Sequence, residues 1–275
     1  FSDVKAPGLY TIRYGESAST LFRIDNNVYD RGVWQPVIEY FLPVQMCHMR
    51  VSEKYPVWHD PCHMDDARMA KEGSHIDGYA QMQNNLTHYN ALDNVYGMNT
   101  GGWHDAGDFD LRIESQSNEC YVLTMAYETF HPDIDVTAID QKKHTVEIHQ
   151  PDGKNDILQQ IEHGVLNLMA QVENIGFVAQ GIVQVNMWQY VHIGDGGAQT
   201  DGLLYNPSLR PYEIYGQTSG TRDDRVAYTN NFSPAGTMST IASLAAAARA
   251  LRDTKPEVAE RVMKEAVDEN GKKVN

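Results

Sequence analysis

Asp105 and Asp108 stand three residues apart inside the run Gly101-Gly102-Trp103-His104-Asp105-Ala106-Gly107-Asp108-Phe109-Asp110. Gly101, Gly102 and Gly107 can take backbone conformations that other residues resist. Both carboxylates can therefore point into one small space with no regular helix between them. Two close carboxylates raise each other's proton affinity, or jointly hold a water or a cation. That is equipment for activating water. The indole of Trp103 and the imidazole of His104 stand directly before the pair, where they could face a substrate. The same residue types would also suit a polar turn at a helix start, with one aspartate as N-cap.

Cys47, Cys62 and His63 form the second group with chemistry in it. An adjacent Cys-His and a distant Cys can supply three ligands of a structural zinc site, which is usually four-coordinate and tetrahedral. A Cys47–Cys62 disulfide, or plain buried thiols, would use the same residues. Cys120 makes the cysteine count odd, so the set is not a disulfide framework.

A chain of 275 residues can build one large domain or two smaller ones around these groups. The formal charge of −15 argues against a nucleic-acid or anionic-membrane partner and suits a neutral polymer. The 15 Tyr and 4 Trp offer flat rings on which sugar faces stack, although such rings fill cores equally well. No apolar run approaches the roughly 20 residues of a membrane span. The chain starts at Phe1 without Met, which reads as a start that is missing or processed.

The patterning then divides the chain. Residues 1–25 read as short strands: Gly8 to Tyr14 alternates, Gly15-Glu16-Ser17 is a turn, and Leu21 to Ile24 is a second strand. Helical spacing begins near Asp30, with Val33, Trp34, Val37, Ile38, Phe41, Leu42 and Met46 on one face and Pro43 set to kink or break it. Residues 50–100 read as a long surface excursion, and residues 131–154 as a charged linker. Helices are predicted over 115–130, from a cap at Asn155 through Val172, and from Ser233 through Leu251. Another restarts at Pro256, where Glu257, Glu260, Glu265 and Glu269, on or just after the helix, read as a solvated face. Residues 176–216 are rich in Gly, aromatics and amides; Trp188, Tyr190 and Tyr205 are candidate sugar platforms there.

Three segments carry a family resemblance. GGWHDAGDFD resembles the Gly-Gly-Trp-(His/Tyr)-Asp-Ala-Gly-Asp signature of glycoside hydrolase family 9, the inverting cellulase family. Cys62-His63-Met64-Asp65-Asp66-Ala67-Arg68 is similar to its upstream Cys-His-x-Asp-Asp-Ala-Arg stretch, and Ser233 to Leu251 to a later small-residue helix. The resemblance implies a mainly α fold, an (α/α)6 barrel. Residues 26–275 would be the N-terminal part of the catalytic domain, and residues 1–25 the end of an Ig-like β-sandwich. It implies hydrolysis of β-1,4-glucosidic bonds in cellulose or a related β-glucan with inversion. Asp108 would be the general base and Asp105 would hold the same water. The family's acid, a Glu far downstream, matches no residue here, so the remaining part of the same enzyme is the expected partner. Some members hold zinc with a fourth ligand at the position of Phe109; here His48, His59 or His104 would replace it. Calcium also occurs in the family, and Asp195 and Asp201 could serve it. The chain departs from many relatives in carrying Thr200 to Tyr205 where they have an Asp-His-x-x-Trp element. A polymeric substrate implies a secreted, periplasmic or cell-surface protein.

Two other classes use the same residues. His59, Asp60, His63, Asp65, Asp66, His104, Asp105 and Asp108 could surround the ion of a metal-dependent hydrolase. A chain lacking the acid could also be a non-catalytic glycan-binding component.

Overall fold

The computed structural model describes residues 3–59, 61–64, 67–73, 75–76, 79–80, 87–105, 110–184, 225–229 and 234–266. In chain order, β1 (Gly8–Tyr10), β2 (Arg13–Tyr14), β3 (Ser17–Ala18) and β4 (Phe22–Ile24) open the chain. A π-helical turn, Val37–Phe41, runs into α1 (Leu42–Gln45). Next come β5 (Arg50–Ser52), β6 (Val57–His59), β7 (Ala67–Met69), β8 (His75–Ile76), β9 (Tyr79–Ala80), β10 (Asn94–Val95) and β11 (Leu111–Arg112). The helix α2 (Ile113–Phe130), the hairpin β12 (Thr137–Asp140) and β13 (Thr145–Ile148), and the helix α3 (Asp156–Ile175) follow. The last elements are β14 (Gly181–Gln184), β15 (Arg225–Tyr228), α4 (Pro234–Leu251) and α5 (Pro256–Ala266).

The N-terminal strands pair as their alternation predicts. β1 runs antiparallel to β4 with Leu9 opposite Arg23, and β2 to β3 with Tyr14 opposite Ser17. Leu9 and Tyr14 are exposed, while Tyr10, Phe22 and Ile24 are half-buried. In the next element Pro43 has no N–H to give a preceding carbonyl, and the backbone widens into the π-turn directly before it.

Two stretches differ from their sequence reading. The 131–154 linker is a hairpin, β12–β13, whose outward and inward residues alternate along each strand. The described part of residues 50–100 is not a surface excursion. Val51, Cys62, Met69, Val95 and Met98 are buried; β5 and β6 join one sheet, β7 and β10 another, and among the described residues β8 pairs only with β9. One sheet has the order β12-β13-β5-β6, with β13 parallel to β5; the other is β10-β7-β15-β14-β11, with β15 parallel to β7. The mainly α expectation is thereby corrected to helices packed with sheet. These strands are two to four residues long, too short for a firm local period, and the parallel pairings β13–β5 and β15–β7 join segments far apart in sequence.

α3 is the central helix. Asn155 accepts from the amides of Ile157 and Leu158, and Gly176 at φ +96° closes the C-terminus by donating to the Val172 carbonyl. The apolar stripe Ile157, Ile161, Val165, Leu168 and Met169 is buried, as its spacing predicts. The opposite side is buried too, including Gln160, His163, Asn167 and Gln171. α2 and α4 pack side by side, tied by the Ser243 hydroxyl donating to the Ser117 carbonyl at 2.5 Å and by Arg249 pairing with Glu128.

Gly164 shows how tightly α3 meets its neighbours. A Cβ there would lie 2.3 Å from the Trp103 ring and 2.4 Å from Cys120 Sγ. Replacing a helical glycine with alanine ordinarily gains about 1 kcal/mol of helix propensity. Here the added methyl meets a buried indole that cannot retreat, and overpacking of that kind costs about 1–3 kcal/mol. Gly164→Ala is therefore expected to lower the denaturant midpoint, and a raised midpoint would overturn this account of the α2–α3 contact.

Candidate active site and metal cage

The turn at 101–105 is fixed before it reaches its carboxylate. Gly101 and Gly102 have φ of +64° and +83°, and a Cβ on Gly101 would stand 2.3 Å from the His163 carbonyl. Only glycine lets the turn lie this close to α3. Cys47 N donates to the Gly102 carbonyl at 2.9 Å and His104 N to the Gln45 carbonyl at 2.8 Å, which lays the turn against the end of α1. His163 Nε2 donates to the Gly102 carbonyl at 2.8 Å. Burial drives the His163 pKa down to about 3, so this ring works as a neutral donor. Gln116 on α2 pairs the Trp103 peptide both ways, accepting its N–H at 2.9 Å and donating to its carbonyl at 2.7 Å.

Trp103 itself is 1% exposed, and its indole N–H donates to Gln160 Oε1 at 2.8 Å. A sugar cannot stack on a ring enclosed on both faces, so the expected platform is instead a core anchor of the turn. His104 is 4% exposed and turns away into a cluster with the cysteines. Trp188 and Tyr205 lie outside the described residues, as do Asp108, Asp60, Asp65, Asp66, Asp195 and Asp201.

Asp105 is held through both oxygens. Oδ1 accepts from the Ser115 hydroxyl at 2.6 Å, and Oδ2 pairs with Arg112 Nε at 3.0 Å. Arg112 Nε also meets Asp110 Oδ2 at 2.9 Å, and the Asp105 amide donates to the Asp110 carbonyl. One turn along α2 from Ser115, Glu119 carries a buried Oε2 with no hydrogen-bond partner among the described residues. Burial first, and the charge of Asp105 second, push the Glu119 carboxyl up to about 7. The turn thus presents one clamped carboxylate, and α2 sets near it a carboxyl whose proton is held up to about pH 7.

The cysteines and histidines converge behind it. Cys47, Cys62, His63 and His104 are all buried, with one ligand atom of each within 4.8 Å of every other. Cys47 Sγ lies 3.6 Å from Cys62 Sγ and 3.2 Å from His63 Nδ1; Cys62 Sγ lies 3.1 Å from His104 Nε2. The sulfurs are free thiols, not a disulfide, which would need about 2.05 Å. A tetrahedron with Zn–S of about 2.3 Å and Zn–N of about 2.0 Å has sulfur–sulfur and sulfur–nitrogen edges of about 3.8 and 3.5 Å. The Cys47–Cys62, Cys47–His63 and Cys62–His104 distances lie within a few tenths of an ångström of those edges, and the other pairs lie within 4.8 Å.

Hydrogen bonding chooses among the three histidines that could complete it. His59 Nε2 is committed to the Val44 carbonyl at 2.9 Å. His48 Nδ1 is committed to the Gly101 carbonyl at 2.9 Å, and its Nε2 to Arg225 at 3.0 Å. His104 brings Nε2 into the cage. Burial is the main cause that holds both His63 and His104 well below the ordinary imidazole range, which leaves them neutral, the form that binds metal. Burial likewise pushes the Cys62 thiol well up, so a metal must displace its proton.

The described members of the His/Asp constellation in the metallohydrolase reading do not gather at one point. His63 and His104 enter the cage, His59 bonds a carbonyl, and Asp105 faces Ser115 and Arg112. Among the described residues the only metal-competent group is the cage, and four protein ligands leave no open position for a catalytic water.

Comparison with known proteins agrees with the motifs. The sequence matches glycosyl hydrolase family 9 over residues 38–268, and the chain belongs to that family. A single mutant of a thermostable endoglucanase from Alicyclobacillus acidocaldarius is similar in fold, with a TM-score of 0.58 and 18% identity. AaCel9A in complex with cellobiose-like isofagomine is similar to the same degree, at 0.58 and 18%. Each likeness covers 96% of this chain and 40% of the other, so the chain spans well under half the length of these structures. No curated protein matched. Among the described residues no helix is long and apolar enough to cross a membrane.

Sequence reasoning missed Gln116, Gln160, His163, Asn167 and Arg225, which hold the turn and cage. Gln160, His163, Asn167 and Gln171 recur at helical spacing on α3. That polar stripe was the available signal; without the loop it binds, it looks like a solvated face.

Proposed function

We propose that this chain carries the base-supplying part of an inverting β-1,4-glucan hydrolase. Asp108 is the general base, Asp105 orients the same water, and Cys47, Cys62, His63 and His104 hold a structural zinc. The observation that carries the reading is the family signature turn, with Asp105 clamped by Ser115 and Arg112. Inversion needs the base and the acid about 6.5–9.5 Å apart, leaving room for water between base and sugar. We assign the acid to none of Glu257, Glu260 and Glu265 on α5; the first two are exposed, and nothing brings them to the turn. The helices α2 to α5 are then part of an (α/α)6 ring, and residues 1–25 close a preceding Ig-like domain. The substrate is cellulose or a related β-glucan, met outside the cytoplasm.

The anomer of the first product tests this. The full-length enzyme, given a cello-oligosaccharide, should release the α-anomer before mutarotation, followed by proton NMR. Initial release of the β-anomer would defeat the inverting assignment. Binding with no turnover would make the protein a glycan-binding component instead.

A further inference from the structure

The proposed chemistry leaves Arg225 unused. It stands on β15, in the middle of the five-stranded sheet, and is 1% exposed. Guanidinium groups are almost never buried to this degree unless their donors are matched. Its Nη2 lies 3.0 Å from His48 Nε2 and 3.3 Å from the His63 carbonyl, and its Nη1 lies 3.8 Å from Cys47 Sγ. One side chain thus touches two cage residues and the histidine between them and the turn.

A guanidinium has donors and no acceptor, so His48 Nε2 must be the accepting nitrogen. The proton of the neutral ring then sits on Nδ1. The other side of the ring gives the same answer independently. Nδ1 lies 2.9 Å from the Gly101 carbonyl, which can only accept. Both contacts require one tautomer, and in that tautomer His48 is a rigid link from Arg225 to the turn. His48 pays for this with a left-handed backbone, φ +66°, and Gly101 needs φ +64° to receive it.

We infer that Arg225 is a positioning residue that joins the metal cage and the Gly101–Gly102 turn into one unit. It fixes His48 as the Nδ1–H tautomer, which clamps Gly101, and it donates toward the Cys47 sulfur ligand. The sulfur half rests on the zinc reading; the tautomer half stands without it. Outer contacts of this kind typically set metal affinity by a factor of about 10–100.

Two measurements test the inference. In the unsubstituted chain labelled with ¹⁵N-histidine, His48 is assigned by comparison with His48→Gln. Long-range ¹H–¹⁵N spectra should show Nδ1 protonated and Nε2 bare. A protonated Nε2 overturns the inference, whatever any variant does. Zinc affinity is then read by competition with a chromogenic chelator. Arg225→Met should bind zinc about 10–100-fold more weakly, and Arg225→Lys, which keeps the charge and one donor, should recover part of the loss. A folded Arg225→Met with the parent's affinity and an unchanged His48 tautomer also overturns it. If the parent chain binds no zinc, the zinc reading fails by itself, and the tautomer spectrum decides the remainder.

Discussion

Stripping zinc from Cys47, Cys62, His63 and His104 should lower the stability of the chain by several kcal/mol. Structural zinc contributes about 10–16 kcal/mol of binding energy in zinc-finger peptides. Less of that is expected as stability here. The metal-free cage holds neutral imidazoles, and the Cys62 thiol keeps its proton, so these three side chains add no charge of their own to the buried site. At a free metal concentration of 1,000 times the dissociation constant, mass action supplies about 4 kcal/mol. For a chain of this size that is a drop in melting temperature of roughly 10 °C. A thermal melt with a zinc-selective chelator should show the drop, and added zinc should reverse it. A calcium-selective chelator should leave the midpoint alone, unless Asp195 and Asp201 hold calcium as their oxygen ligands allow. Cys62→Ser should reproduce the loss and no longer respond to the zinc chelator. Identical melts with and without chelator, together with no zinc by elemental analysis, would remove the metal from this cage.

What could be read from the sequence follows from how local each feature is. The cap at Asn155 and the apolar stripe of α3 are encoded within a few residues, and the structure places them as their spacing predicts; α4 begins at Pro234, as a proline in a first turn suggests. The strands of 50–100 and 137–148 are short, and although β12–β13 and β5–β6 are local hairpins, the pairings that build them into sheets are remote. β13 lies beside β5, and β15 beside β7, through contacts that no local pattern encodes. Three cage residues were legible because Cys62 and His63 are adjacent and Cys47 is near. The fourth was not: choosing His104 over His48 and His59 depends on which ring nitrogens carbonyls already occupy. Trp103 misled because an indole before two aspartates suits a sugar platform. Gln116 and Gln160 bind it into the core instead, and the turn inherits its rigidity from that burial.

Asp108→Asn in the full-length enzyme should cut glucan turnover by about 10²–10⁴-fold, the usual contribution of a positioned base. The change keeps the side chain's shape and removes its ability to take a proton from water. Glucan binding should survive it if, as proposed, stacking and hydrogen bonds from other residues hold the sugars. Asp105→Asn should cost less, because its proposed task is to orient that water. Its loss is not negligible, for a physical reason visible in the structure. Oδ1 could still accept from Ser115, but an amide nitrogen in place of Oδ2 would face Arg112 donor against donor. Part of the cost should therefore be a displaced turn, seen as lower stability as well as lower kcat. Ser115→Ala separates the two terms, since it removes one hydrogen bond and leaves the Arg112 pair intact; its effect should be smaller than that of Asp105→Asn. The order of losses, Asp108→Asn first, Asp105→Asn second and Ser115→Ala third, is what the assignment demands. An Asp108→Asn enzyme that hydrolyses glucan at the parent rate would show that Asp108 is not the base. If both aspartate substitutions released a bound metal and abolished glucan binding, the turn would be a metal-dependent hydrolase's site after all.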